Sequence, residues 1–363
     1  MRRTDPLIIG AGPAGCAAAI TLARGGARPL ILEATAAQGD ALCGGFVSWR
    51  TLQSIRDLGV DLDALGGHPA RKVRLFAGSK QATTALPDYA IGISRARLDA
   101  ALLAVALKAG AGLQRGTPVR SLEADGSILL KDGASLTNPS LFIATGKHDL
   151  RGLGRERSEA PTLGLRVRLA PHPSLSRLIG DTIELHLFKG GYAGLILQED
   201  GSANLCLAVR KEALAAAGGN PVHLLSQLEQ ACPALGERLA FMDSAPHVDA
   251  IAAVPYGWIG QDTAAGQFRI GDQAACIPSL AGEGNGLALA SGMMAADTWL
   301  RGGPDAAPQF QKDYASRVSR PVRAASFLWH WAESERAAPW LVRSASLVPG
   351  LARFAAAITR ISR

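Results

Sequence analysis

Two short runs hold the residues best suited to chemistry. In the first, apolar Leu7-Ile8-Ile9 leads into Gly10-Ala11-Gly12-Pro13-Ala14-Gly15, a small-residue helix is expected from Cys16 to Gly25, and apolar Leu30-Ile31-Leu32 ends on Glu33. A buried strand, a glycine turn, a helix and a second strand closing on an acid make the βαβ arrangement that binds a dinucleotide. There Gly10 makes the tight turn, Gly12 admits a pyrophosphate to the backbone, and Gly15 lets helix and strand approach. The helix N-terminus offers N–H groups and positive dipole to the phosphates. Glu33 is placed to accept hydrogen bonds from ribose hydroxyls, and an acid there disfavours a 2′-phosphate, so FAD or NAD is expected rather than NADP.

The second run lies far along the chain. A short strand, Phe268-Arg269-Ile270, enters Gly271-Asp272, with Pro278 and then Gly282-Glu283-Gly284-Asn285-Gly286 before a helix expected to reach about Leu300. An acid at a strand end can hold a sugar or ribityl hydroxyl. A second helix N-terminus can stabilise negative charge on a reduced isoalloxazine near N1 and O2. NAD has no use for such a distant second contact, whereas FAD spans both ends.

The elements that must position these runs alternate along the chain. After the loop Gln38 to Phe46, a helix is expected from Trp49 to Leu58, short strands over 72–90, and a helix over 95–109 capped by Ser94. Further strands are expected near 116–123, 127–131 and 141–143, the last delivering Ala144-Thr145-Gly146. Over 163–209, Leu165-Val167-Leu169, Ile183-Leu185-Leu187 and Leu205-Leu207-Val209 alternate with mostly polar neighbours, the signature of half-buried strands joined at Gly190-Gly191 and Asp200-Gly201. The expected class is therefore α/β: a Rossmann-like FAD-binding domain (1–70, 91–160 and 255–302), an inserted antiparallel-sheet substrate domain (71–90 and 161–254), and a helical C-terminal region (303–363).

No apolar run reaches the roughly 18 residues of a membrane span and no signal peptide opens the chain, so a cytoplasmic protein is expected. Five scattered cysteines suggest neither a disulfide framework nor a metal site. The net charge of +7 is concentrated in residues 301–363, which hold ten Lys/Arg against four Asp/Glu, but without a recognisable motif no nucleic-acid partner is expected. In that tail Leu347, Leu351, Phe354, Ile358 and Ile361 form an apolar stripe behind Pro349, with Arg353, Arg360 and Arg363 on its flanks. Such a helix either closes the core or makes a peripheral contact with an anionic membrane.

Together these residues resemble the FAD superfamily of the aromatic hydroxylases, the geranylgeranyl reductases and the flavin-dependent halogenases, over roughly 7–300. The pairing of GAGPAG with GDQAACIPSLAGEGNGLALASG is the specific part. The resemblance implies that Gly10, Gly12, Pro13, Ala14, Gly15, Glu33 and Ala34 hold the ADP half, that Arg97 approaches the FAD, and that the Val119 backbone touches adenine. It implies Gly271, Asp272 and Pro278 for the ribityl or phosphate region, and Gly284, Asn285 and Gly286 for the isoalloxazine. Cys43-Gly44-Gly45 resembles the cysteine-glycine loop of the reductases that passes the flavin ring. Tyr192 and Tyr256-Gly257-Trp258 fall where related proteins line the substrate cavity, and Cys43, Tyr192 and Trp258 are the candidate catalytic residues. Thr145, with Gly146 on the cofactor side, replaces the acid of the hydroxylases' Asp-Gly pair, and the halogenases' paired-tryptophan motif is missing.

The implied activity is that of an FAD-dependent oxidoreductase, fuelled by NADH or NADPH, acting on a hydrophobic small molecule that is free, in a lipid phase or tethered to a carrier protein. Hydroxylation of a phenolic or polyketide-type substrate is the first expectation, and double-bond reduction of an isoprenoid lipid the alternative. Halogenation and electron carriage are the lesser ones.

Overall fold

The apolar triplets of the sequence lie side by side. The computed structural model describes residues 5–123, 126–155, 161–347, 350 and 357–361. Its parallel five-stranded sheet runs in the order Gln267–Arg269, Leu141–Ile143, Leu7–Ile9, Leu30–Glu33, Gly112–Arg115. Strands of such a sheet are covered on both faces, which is why they read as continuous apolar runs rather than alternating ones. One face is covered by helices α1 (Pro13–Arg24), α2 (Arg95–Lys108) and α3 (Gly284–Gly302). The small residues of α1 let it pack closely along α3 although the two are far apart in sequence. Over the other face, the small sheet Val119–Leu122, Ile128–Leu130 and Ser135–Leu136 contributes Leu122, Ile128 and Leu130 to a core with Leu7, Ile9 and Ile143.

A second, eight-stranded sheet is ordered Asp249–Val254, Thr162–Leu169, Ala203–Arg210, Gly191–Leu197, Thr182–Phe188, His68–Ala77, Lys80–Gly92, Phe46–Val47. One of its pairings departs from the antiparallel expectation: Thr182–Phe188 runs parallel to His68–Ala77. The chain passes through α2 and the first sheet between these two strands, so no hairpin turn dictates their direction. The expected alternation is present, with Leu165, Val167, Leu169, Leu205, Leu207 and Val209 packed against Leu224, Leu225 and Leu235 of the covering helices.

The C-terminal region is helical. In α4 (Ala307–Ala332), Phe310, Tyr314, Val318 and Val322 join the core of the first sheet; lower down, Trp329 and Ala332 join Ala338, Val342 and Ala345 of α5 (Ala338–Leu347) against Leu187 and Tyr192 of the second sheet. Pro349, Leu351, Arg353, Phe354 and Arg363 of the expected terminal stripe lie outside the described residues, whereas Leu347, Ile358, Arg360 and Ile361 lie within them. Among the described residues no helix is long and apolar enough to cross a membrane.

Candidate functional site

At the first glycine turn the backbone itself excludes side chains. Gly10 has φ +109°, and a Cβ on it would stand 2.5 Å from the Ala144 carbonyl oxygen; a Cβ on Gly15 would stand 2.0 Å from the Gly10 carbonyl oxygen. Only glycine fits at either position. No side chain caps α1 at Gly12, and Pro13 opens its first turn, so the helix presents its N-terminal end to the cavity that Gly10, Gly12, Pro13 and Ala14 line.

Glu33 closes this end. Its Oε2 accepts from the Ala11 N–H at 2.8 Å and its Oε1 from the Thr35 N–H and hydroxyl at 3.0 and 2.8 Å. Burial pushes the carboxyl up, but the bonds from Thr35 and Ala11, with Arg115 nearby, outweigh it and hold Glu33 below its ordinary value. It is a fixed carboxylate with acceptor capacity left for a sugar hydroxyl. Ala34 and Val119 lie on the same wall.

The arginine of α2 that faces this end is Arg95, not Arg97. Arg97 donates to the Leu65 and Ala64 carbonyls at 3.2 and 2.9 Å and does not line the cavity. Arg95 lines it, held by two bonds to Asp99 at 2.8 and 2.7 Å, and a Cβ on Gly12 would come within 3.4 Å of its Nη2. Positions two apart on a helix face different ways, so the cavity takes only one of the pair. The spacing of Arg95 and Asp99, one helical turn, was the available signal.

At the second glycine-rich run, Gly271 and Asp272 line the cavity together with Gly284 and Asn285 at the start of α3, whose N-terminus again has no side-chain cap. Pro278, Gly15 and Gly286 stand behind the wall rather than in it. Lys147, which sequence reasoning passed over, lines it too, with Nζ 3.7 Å from Asp272 Oδ2. Burial works against its charge, but Asp272 prevails and keeps Lys147 above its ordinary value. Thr145 and Gly146 also lie on this wall, and the Thr145 hydroxyl donates to the His148 carbonyl at 2.7 Å, closing the turn that presents Lys147.

Arg360 was expected on the flank of a terminal helix; instead it is buried. Its Nε lies 2.9 Å from Glu283 Oε1 at the start of α3, and its guanidinium lies 4.0 Å from the centroid of the Trp49 ring. Burial pushes the Glu283 carboxyl up while Arg360 opposes the shift. The described end of the chain, residues 358–360, thereby closes part of the cavity.

The Cys43 loop is anchored from the second sheet. Asp40 accepts from Arg166 at 2.7 Å, from Arg168, and from the Ala96 N–H at 3.0 Å; Arg166 also donates to Asp249 at 2.9 and 2.7 Å. Burial raises the Asp40 carboxyl, but these partners hold it below its ordinary value. Asn204 donates to the Cys43 carbonyl at 3.0 Å, and Asn285 of α3 places its Nδ2 3.9 Å from Cys43 Sγ. Cys43, Gly44 and Gly45 thus line the cavity between the start of α3 and the second sheet.

Beyond this loop the cavity continues to a volume of about 1330 Å³. That exceeds the roughly 300–1,000 Å³ of a single small-ligand pocket and leaves room for a substrate beside a dinucleotide. Its walls there are mostly aliphatic, with Val73, Leu75, Ile183, Leu185 and Leu187 from the sheet and Leu328 and Leu341 from α4 and α5. Set among them is a polar spot: Tyr192 and Tyr256 both donate to Ser279 Oγ at 2.7 Å. Burial pushes both phenols up, so they stay protonated. Trp329 stands edge-on to both rings at 5.7 and 6.2 Å. Trp258, by contrast, lies outside the cavity beneath Arg269 and Arg155, at 4.7 and 5.9 Å.

Two helix N-termini, a fixed acid at each end, the cations Arg95 and Lys147 and a glycine-lined floor suit a long dinucleotide bearing a flavin, and define an FAD-dependent oxidoreductase. In agreement, residues 3–129 match the family described as FAD binding domain. Over those residues the chain thus carries a domain similar to that FAD-binding family. Among curated proteins it is similar to a menaquinone reductase of Mycolicibacterium smegmatis, 27% identical over 83% of this chain and 77% of the relative. Among solved structures it resembles a geranylgeranyl bacteriochlorophyll reductase-like protein of Thermoplasma acidophilum (TM-score 0.75, 19% identity, 99% of this chain and 93% of that one). It also resembles PqsL, a probable FAD-dependent monooxygenase of Pseudomonas aeruginosa (TM-score 0.72, 17% identity, 94% and 100%). At these identities the structural likenesses carry the fold alone.

Proposed function

We propose that this oxidoreductase hydrogenates a carbon–carbon double bond in the prenyl chain of an amphiphilic lipid with an oxygenated ring head, a menaquinone-type lipid being the first to try. The observation that carries this is the aliphatic cavity that continues from the Cys43 loop to the walls supplied by α4 and α5. Its walls match a flexible hydrocarbon chain better than a compact polar ring, and the name of the mycobacterial relative supplies menaquinone as a lipid to try.

When bound, FAD would supply two electrons and one of the two protons, both drawn from NADH or NADPH. The chain's own groups do the rest. The N-termini of α1 and α3, Arg95 and Lys147 balance negative charge on the cofactor, and Glu33 and Asp272 accept from its hydroxyls. The Cys43 loop, tied down by Asp40, Arg166 and Arg168, excludes water from the ring face. Saturating a double bond also takes one proton. The Tyr192–Ser279–Tyr256 group holds protons on oxygen beside the apolar walls, and with both phenols donating to Ser279 Oγ, the serine's own hydrogen is left for a ligand. Transfer of that proton to the chain carbon, with resupply through the tyrosines, balances the reaction.

One observation favours hydroxylation of a phenolic head as a second reading. Ser279 lies in the segment leading to α3, so the polar spot would hold a ring head close to the cofactor. Turnover under argon separates the two. A product that gains two hydrogen atoms without oxygen supports reduction, and a product that forms only in air and gains one oxygen atom supports hydroxylation.

A further inference from the structure

We propose that the mouth of the cavity docks on the anionic surface of a lipid bilayer, so that substrate enters without crossing water. The purpose of this contact rests on the lipid-substrate reading; its physical basis and its test do not. Phe327, Trp331, Trp340 and Leu347 are 59%, 42%, 60% and 70% exposed, although large apolar side chains ordinarily seek burial. The first three also line the cavity, and being both exposed and lining they mark its mouth. Phe327 and Trp331 are one turn apart on α4 with ring centroids 5.5 Å apart. Tryptophan, apolar in body with a polar N–H, is suited to the boundary between lipid and water.

Charge complements this rim. Arg320 and Arg323 are exposed on α4, seven and four residues before Phe327 and so on the same helix face. Arg343 is exposed on α5, its guanidinium 5.7 Å from the Trp340 ring centroid, and Arg336 is exposed between the helices. The acids of this stretch are engaged elsewhere: Glu333 accepts two bonds from Arg210 at 2.6 Å, and Glu335 lies 4.0 Å from Lys189. Aromatic side chains ringed by arginines match the headgroup layer of an anionic membrane. An acidic protein would satisfy the charges, but it would give no reason for the aromatic rim to be continuous with an apolar cavity. The docking face is therefore α4 and α5, while Arg360 of the terminal segment is buried against Glu283.

The test is flotation of the full-length protein, FAD bound and without substrate or nicotinamide, on phosphatidylcholine vesicles with and without phosphatidylglycerol. The protein should float with the anionic vesicles and be released by salt. Substituting Phe327→Ser, Trp331→Ser and Trp340→Ser together should weaken partitioning by about a hundredfold. Arg320→Gln, Arg323→Gln and Arg343→Gln should each weaken it roughly fivefold, on anionic vesicles only. Flavin absorbance checks that each variant is folded. The proposal is overturned if the parent fails to float with anionic vesicles, or if a folded triple-serine variant floats as well as the parent. It is also overturned if sedimentation shows a parent dimer that the serine substitutions dissolve, which would assign the rim to a second copy of the chain. Because no turnover is read, failure of chain reduction under argon and failure of docking are separate results.

Discussion

Removing the Ser279 hydroxyl strands two donors at once. Tyr192 is buried and Tyr256 half-buried, and each loses its acceptor at 2.7 Å in Ser279→Ala. A buried unsatisfied donor costs about 1–3 kcal/mol, and the more open position of Tyr256 puts it at the low end, so the variant should lose about 2–4 kcal/mol. For a chain of this length that lowers Tm by roughly 3–5 °C. Tyr192→Phe or Tyr256→Phe alone leaves Ser279 one partner and should cost only about 1 kcal/mol. Replacing all three together removes every polar atom of the group and should recover most of the stability lost in Ser279→Ala. Turnover, in contrast, should fall by about a hundredfold in Ser279→Ala and stay low in the triple variant, because the proton-bearing group is gone in both. Thermal unfolding and turnover of the parent and four variants, with saturating FAD, measure both effects. Additive losses, or a triple variant less stable than Ser279→Ala, would refute the view that these hydroxyls form one buried unit.

Gly15→Ala would place a Cβ 2.0 Å from the Gly10 carbonyl oxygen, so FAD retention should fall by about tenfold or more, read by flavin release on dilution. Arg360→Ala should leave Glu283 buried without its cation and hasten flavin loss, measured by the same fluorescence assay. In the second sheet, Glu184 is fully buried between Arg74 and Arg238, each at 2.9 Å, with His186 3.3 Å away. Glu184→Gln should cost about 2–3 kcal/mol in thermal unfolding by removing the buried carboxylate between Arg74 and Arg238, although Arg238 keeps Glu237 and the Ala234 carbonyl as partners. Burial opposes the Glu184 charge, but His186 and Arg238 hold its carboxyl below its ordinary value of 4.5; burial itself pulls His186 below 6.5. For both groups the unfolded chain takes up protons before the folded one, so the stability these two contribute is full above about pH 7 and is lost as pH drops, first through the histidine range and then through the carboxylate range. The Tm gap between parent and Glu184→Gln should therefore narrow on acidification through the carboxylate range, and a gap that widens there contradicts this.

What was legible in the sequence is what one local element fixes. Gly10, Gly15 and Glu33 sit within one βαβ unit, and Asp272 and Asn285 flank the start of one helix, so spacing alone located the two ends of the cavity. Lys147 and Ser279 depend on segments brought together from distant parts of the chain, and no periodicity announces such contacts. Between Arg95 and Arg97 the sequence offers only the one-turn spacing of Arg95 and Asp99; the rotation of α2 against the first sheet decides. Trp258 reads as a cavity residue by resemblance, together with Tyr256, yet a turn in which Gly257 has φ +88° separates the two, and Trp258 lies beneath Arg269 instead. The same holds for Arg360, whose partner Glu283 is far away in sequence and near only in the fold.

The central claim concerns where electrons and protons arrive, and the most direct measurement locates them. A menaquinone-type lipid is incubated under argon with the FAD-loaded protein and NADH or NADPH, and the product is fragmented by tandem mass spectrometry. The account predicts two added hydrogen atoms, both in fragments of the prenyl chain, with the ring head at its original oxygen count. A product with an unchanged chain and an added oxygen on the ring, formed only when air is admitted, would contradict it.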